Sequence, residues 1–122
     1  MATVKVVLTE YPNAGAGEAY IASWPLMLNG DVGEPLVLHG YHDRSVQVEG
    51  TIGAAGSVTI EGSNDKTNYE TINDPSSTAL TFTSLAKIKG ILEAVYQMRP
   101  HVTAGDGTTS ITVTAYLRKT VK

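Results

Sequence analysis

Between Ser110 and Arg118 the chain alternates without a break: Ile111, Val113, Ala115 and Leu117 fall on one side, and Thr112, Thr114, Tyr116 and Arg118 on the other. Side chains that repeat every second residue belong to a β-strand with one face in a core and the other in water or under a neighbour. The same period returns in Arg44 to Ile52, with Val46 and Val48 set against Gln47 and Glu49. It returns again in Ser57 to Glu61, with Val58 and Ile60 set against Thr59 and Glu61. Fifteen threonines and twelve valines supply β-branched side chains that suit a pleated surface, while glycine and proline recur between the short runs. These features predict an all-β fold.

The connections predict how the strands meet. Gly53-Ala54-Ala55-Gly56 is too short for a parallel crossover, so an antiparallel hairpin is expected between 44–52 and 57–61. The turn from Gly62 to Asn68 carries Asn64, Asp65 and Asn68, whose side chains bond their own backbone, and it brings Tyr69 to Ile72 back to complete a three-stranded meander. Ala79 to Thr83 reads as a strand with Leu80 and Phe82 on one face, Ala94 to Thr103 as another, and Gly105-Asp106-Gly107 turns into the last. Pro100 has no amide hydrogen and is expected at an edge or a bulge. Leu85, Ile88, Leu92 and Val95 have helical spacing, but Gly90 interrupts it, so strand or loop is expected up to Gly90. Short strands with a turn signal about every ten residues describe an antiparallel, jelly-roll-like β-sandwich in one domain over 1–122.

The amino-terminal third fits this pattern least. Thr3 to Thr9 reads as a strand and Tyr11 to Gly17 as a flexible link. Tyr20, Ile21, Trp24, Pro25, Leu26, Met27 and Leu28 then supply apolar area without regular alternation. Residues 1–24 read equally as an amino-terminal arm or extension and as part of the sandwich.

Composition narrows the function. A chain of 122 residues can carry its own core, and with no cysteine it has neither a disulfide framework nor a thiolate metal site. The apolar stretch Val6-Val7-Leu8 is too short for a signal peptide, and no run approaches the roughly 18 residues that cross a bilayer, so a soluble chain made and used without export is expected. A net charge of -3 with scattered Lys and Arg gives no footing for a phosphate backbone, so nucleic acid is not an expected partner.

Few constellations promise chemistry. His39-Gly40-Tyr41-His42-Asp43 has metal-ligand residue types, but three-residue spacing in an extended segment sends the two imidazoles to opposite faces, and nothing in the sequence places His101 nearby. Asn64 to Asn68 lacks the alternating carboxylates and terminal Glu of an EF-hand and reads as a structural turn. There is no Gly-x-Ser-x-Gly elbow, and neither Gly15 to Gly17 nor Gly53 to Gly56 leads into the Lys-Ser or Lys-Thr of a P-loop. No catalytic residue, metal or cofactor is therefore expected. Tyr41, Tyr69, Tyr96, Tyr116 and Trp24 offer aromatic faces for sugar rings, or else pack between strands and at interfaces.

The tract Gly56-Ser57-Val58-Thr59-Ile60-Glu61-Gly62-Ser63-Asn64-Asp65-Lys66-Thr67-Asn68-Tyr69, then Ile72-Asn73-Asp74-Pro75 and Leu80-Thr81-Phe82, resembles the "EGSNDGTNW" region of small bacteriophage capsid decoration (cement) proteins. The closing tract from Met98 to Thr114 is similar to the same family, so the resemblance covers roughly residues 44 to 118. Lys66 stands where Gly is common and Tyr69 where Trp is common; the turn-forming Asn64, Asp65 and Asn68 remain.

The resemblance implies a non-enzymatic virion protein, made in the host cytoplasm and carried on the capsid exterior, that clamps neighbouring major capsid protein subunits as a homodimer or homotrimer. Affinity would then come from apolar anchors and strand edges through multivalency. Tyr11, Tyr20, Trp24 and Pro25, whose aromatic and apolar area has no clear place in an alternating core, are expected to supply contact surface, together with Tyr116 on the outer side of the last strand. The alternatives are a carbohydrate-binding sandwich and a tail or baseplate module.

Overall fold

The computed structural model describes residues 2–10, 19–38 and 40–119. Every regular element in it is a strand, and no helix is long and apolar enough to cross a membrane. Numbered along the chain, a seven-stranded sheet runs β1 (Thr3–Val4), β4 (Val32–Gly33), β11 (Gln97–Ala104), β7 (Ser57–Ser63) and β8 (Glu70–Thr71). Two further strands join it, β5 (Leu36–Val37) on β11 and β9 (Thr81–Phe82) on β7. A five-stranded sheet runs β10 (Lys87–Gly90), β6 (Asp43–Thr51), β12 (Ser110–Arg118), β3 (Ala19–Met27) and β2 (Val7–Glu10). Among the described residues only β1 and β4 pair in parallel. The chain is an all-β sandwich.

The core lies between the sheets and is built by the alternation itself. Ile111, Val113, Ala115 and Leu117 of β12, Val46 and Val48 of β6, and Ala22, Trp24 and Met27 of β3 face inward from one sheet. Val58 and Ile60 of β7, Met98 and Val102 of β11, and the flanking Leu80 and Phe82 face them from the other. Burying such side chains contributes about 1.5–3 kcal/mol apiece. The outer residues of β12 stay open to solvent to varying degrees, as its period of two requires.

The expected hairpin between 44–52 and 57–61 does not form. β6 pairs with β10 and β12, while β7 pairs with β8, β9 and β11 in the other sheet. The connection 52–56 is tight, with Gly53 at φ +81° and the Gly56 amide bonded to the Gly53 carbonyl at 3.3 Å. It spans the gap between sheets, about 10 Å, so Val46 and Val48 meet Val58 and Ile60 across the core. Alternation tells which residues face inward but not which layer a strand joins. The second half of the meander does form, since β7 pairs with β8.

Pro100 is also placed differently. It sits in the interior strand β11, opposite Ile60, away from any edge or bulge. The Ile60 amide and carbonyl both turn toward the opposite side, bonding Leu80 and Ile72, so this pair needs no bond from residue 100. Its donorless nitrogen faces the break between β5 and β4, where the ring packs on Gly33. A Cβ at Gly33 would lie 2.5 Å from Pro100 Cδ and 2.7 Å from Trp24 Cδ1. Only glycine lets these surfaces close.

The described residues of the amino-terminal third lie within the sandwich. Thr3 to Thr9 is divided between β1 in one sheet and β2 in the other, and β3 is an interior strand flanked by β12 and β2. Asp31 is buried and ties the start of the chain down, accepting hydrogen bonds from the Ala2 amide at 3.1 Å and the Leu28 amide at 2.9 Å. Trp24 is 1% exposed, and its Nε1 donates to the Glu34 carbonyl at 2.9 Å. The link 11–17 lies outside the described residues. Residues 84–95 form no helix, and β10 ends at Gly90 as expected.

Replacing Trp24 with alanine is expected to lower unfolding stability by about 3–5 kcal/mol in urea titrations followed by circular dichroism. The single tryptophan of the intact chain should emit as a buried indole.

Candidate interaction surface

The outer face of the five-stranded sheet follows from the register of its strands. Ile88, Gln47, Thr114, Ser23 and Val7 align in one cross-strand row, and Gly90, Ser45, Tyr116, Ile21 and Thr9 in the next. Neither row contains a charged residue, over a width of about 19 Å for five strands at their usual spacing. Ile88, Val7 and Tyr116 are exposed on it. Charges flank this band. At one end Arg118 bonds Asp43 at 2.9 Å, an exposed pair of little worth to stability, and at the other Gln47 donates to Glu49 at 2.8 Å.

A bulge shapes one corner of this face. Ile111 pairs with Met27 and Val113 with Trp24, so Pro25 and Leu26 together oppose one residue of β12. Leu26 adopts φ +53°, donates its amide to Thr112 Oγ1 at 3.2 Å, and projects into solvent, as Pro25 does. The extra residue explains why Tyr20 to Leu28 shows no regular alternation in sequence: Ala22 and Trp24 point inward, and after the bulge Met27 does.

The five residues expected to contact a partner are dispersed. Tyr116 lies on the uncharged face and Pro25 at its corner. Tyr20 is half-buried and meets Tyr41 edge-on at 5.6 Å. Trp24 is in the core and unavailable as a contact, because its large ring fills the space between the sheets above Gly33. Tyr11 lies outside the described residues. Sequence reasoning missed Val7, Ile21 and Ile88, whose signal appears only once the register sets them beside the outer residues of β12.

The opposite sheet has a different outer surface. Glu61 accepts from Arg99 Nε at 2.9 Å and lies 3.0 Å from His101 Nδ1, while Tyr69 stacks on the Arg99 guanidinium at 3.7 Å and bonds Gln97. This charged lattice satisfies itself. Tyr69 is engaged here, Lys66 lies over Tyr96 and Lys119 over Tyr41, so the tyrosines do not assemble into one open platform. His42 is exposed before β6 and His101 is on the other sheet; His39 lies outside the described residues.

Three aspartates fold the loops. Asp65 gathers the amides of Asn68 and Thr67, the Asn68 side chain and the Ser63 hydroxyl, and these bonds hold its carboxyl well below the usual carboxylate range. Asp74 accepts from the Thr78 and Ser76 amides and is likewise lowered, the Thr78 amide contributing most. Asp106 bonds the Thr108 hydroxyl and amide and, across loops, the Ala54 amide at 3.0 Å. These contacts, the Thr108 hydroxyl first, pull its pKa to about 2. Asn64 to Asn68 is thus a structural turn built around Asp65.

The sequence matches no protein-family model and no curated protein. Among solved structures the chain is similar to the SPBc2 prophage-derived protein YomS, with a TM-score of 0.63 and 9% identity, over 81% of this chain and 93% of that one. It is also similar to Peruvianin-I, a cysteine peptidase from Thevetia peruviana latex, with a TM-score of 0.50 and 15% identity. That match covers 93% of this chain and 60% of the peptidase. At such identities the shared property is the fold. The peptidase's chemistry has no counterpart nucleophile here, since this chain contains no cysteine.

Because the folded pKa of Asp106 lies below its unfolded value, its contribution to stability is full above about pH 4 and is lost as pH falls through about 2. Melting temperature should therefore drop across that window. In Asp106→Asn the drop should be shallower and the starting value lower, as read by calorimetry.

Proposed function

We propose that this chain is a virion structural protein that decorates and stabilises a phage capsid, lying across major capsid protein subunits with the uncharged face of its five-stranded sheet. The observation that carries this reading is the pair of charge-free rows centred on Tyr116 and Thr114. Hydroxyl and amide side chains interleaved with exposed Ile88, Val7 and Tyr116 suit a protein surface, where an aromatic anchor is surrounded by contacts that exclude water at small desolvation cost. Two rows across five strands at their usual spacing cover on the order of 300 Å², well below the roughly 800 Å² per partner of a standard interface. Firm attachment would then come from many copies, each weakly held, on a repeating lattice.

Two further features support the reading. The tract from Gly56 to Tyr69 resembles decoration proteins, and its turn is organised by Asp65, which accepts from the Thr67 and Asn68 amides. The fold is shared with a prophage-derived protein. The proposed role needs no reacting group, metal or cofactor, and places the protein on the capsid exterior after synthesis in the host cytoplasm. The carbohydrate reading gains nothing from the geometry, because Tyr69 is covered by Arg99 and Tyr20 meets Tyr41 edge-on.

Deleting residues 1–24 would remove Trp24 from the core, so point variants are the proper test. Thr114→Lys with Tyr116→Asp should weaken binding to undecorated capsids of the same phage by about tenfold or more, roughly 1.4 kcal/mol. Thr71→Lys on the opposite sheet should leave binding unchanged. Purified particles should carry the chain in hundreds of copies. Equal loss from both variants, or a handful of copies per particle, would reject the reading.

A further inference from the structure

Two lysines of β10 point into the seam between the sheets. Lys87 and Lys89 stand opposite Val48 and Val46, whose side chains are buried, so both leave the inner side of the five-stranded sheet at its edge. There they line a cleft of about 200 Å³ whose other wall is the segment 78–84, which carries β9 of the seven-stranded sheet.

The chemistry of these walls is one-sided. Lys87 and Lys89 line the cleft with the hydroxyl-bearing Thr78, Thr83 and Ser84, and no carboxylate does. Asp74, outside the lining, reaches Lys89 at 3.5 Å, but an ammonium has three hydrogens to give, so Lys89 keeps donors for a second acceptor. Lys87 has no such neighbour. Among the described residues it stands apart from every other Lys and Arg: Lys5, Lys89, Arg99 and Arg118 pair with carboxylates, Arg44 bonds the Glu93 carbonyl, and Lys66 and Lys119 lie over tyrosine rings. The hydroxyls of Thr78, Thr83 and Ser84 likewise bond nothing among the described residues, whereas that of Thr81 is engaged with Thr59 at 3.1 Å. Buried Leu80 and Phe82 complete the lining, and apolar walls beside like charges concentrate their field within the cleft.

Inward lysines on an edge strand also deter the pairing of another strand. That role asks for neither a cavity nor unspent hydroxyls. We propose that this cleft binds a compact oxyanion, phosphate or a carboxylate, held by the ammonium groups of Lys87 and Lys89 and by hydroxyls from 78–84. Alternate residues of a strand lie about 7 Å apart, within range for two flexible side chains to close on one anion. Charged donors make the stronger hydrogen bonds, and the hydroxyls add direction. A single anion needs only this local pair, whereas a phosphate backbone needs a run of cations that the chain lacks. With the Lys89 side chain 46% exposed, water competes for it, so the affinity expected is in the millimolar range.

The full, isotope-labelled chain can be titrated at neutral pH with sodium phosphate, sodium acetate and sodium chloride at equal ionic strength and followed by amide NMR shifts. Phosphate, acetate or both should move the amides of Thr83, Ser84 and Lys87 along a saturating curve with a dissociation constant of roughly 1–20 mM. The arm that saturates at lower concentration names the preferred anion, and chloride should not saturate. Lys87→Gln should raise the constant by about threefold or more, as expected for one half-solvated charge pair. Lys87→Arg should hold it within about twofold, because the charge is kept. Lys66→Gln, in the turn 64–68, should leave it unchanged. Shifts that saturate with no salt, equal shifts with chloride, or a Lys87→Gln chain that binds as the parent does would overturn the proposal. No capsid enters the measurement, so its failure leaves the decoration role standing and its success does not rescue that role.

Discussion

Burial of one side of β12 governs the arrangement around it, because a strand paired on both flanks and dry on one face leaves its neighbours little choice of register. Ile111, Val113, Ala115 and Leu117 are all 2% exposed or less, and β3 and β6 align to them almost residue for residue. A slip by one position would turn every one of these side chains outward. Where β3 departs from that register it does so once, at Pro25 and Leu26, and the bulge restores inward pointing at Met27. Opposite, Trp24 reaches across to Gly33 and Pro100, so the amino-terminal third is locked into the same core.

The same constraint produces the outer surface. Once the inner positions are fixed, the residues between them must lie on the other side, and in this sheet they are threonine, serine, glutamine, isoleucine, valine and tyrosine, with charges only at the ends. The opposite sheet places Glu61, Arg99 and His101 outside, where they satisfy one another. One layer thus presents an uncharged band and the other a set of charges paired with one another.

Much of the fold was legible from local chemistry. The alternation of 44–52, 57–61 and 110–118 marked strands and their inward residues, and the Asn and Asp residues of 64–68 marked a turn that Asp65 does organise. What pattern does not encode is which layer a strand joins. The link at Gly53 to Gly56 therefore looked like a hairpin and is a crossing between sheets. Pro100 looked like an edge residue because its missing donor is tolerated in an interior strand only where the neighbouring strand breaks, and no local pattern says that the break at Glu34-Pro35 falls beside residue 100. The proposed contact residues were harder still. Trp24 drew attention by size and is core, while Val7, Ile21 and Ile88 are unremarkable until the register sets them beside Tyr116.

The central claim is that the uncharged face of the five-stranded sheet meets the capsid. Hydroxyl-radical footprinting of the chain, free and bound to undecorated particles, reads this directly through side-chain oxidation. The account predicts that Tyr116 and Ile88 lose reactivity on binding while Tyr69 and Val37, on the other sheet, keep theirs. Protection of Tyr69 and Val37 with Tyr116 still reactive would contradict it.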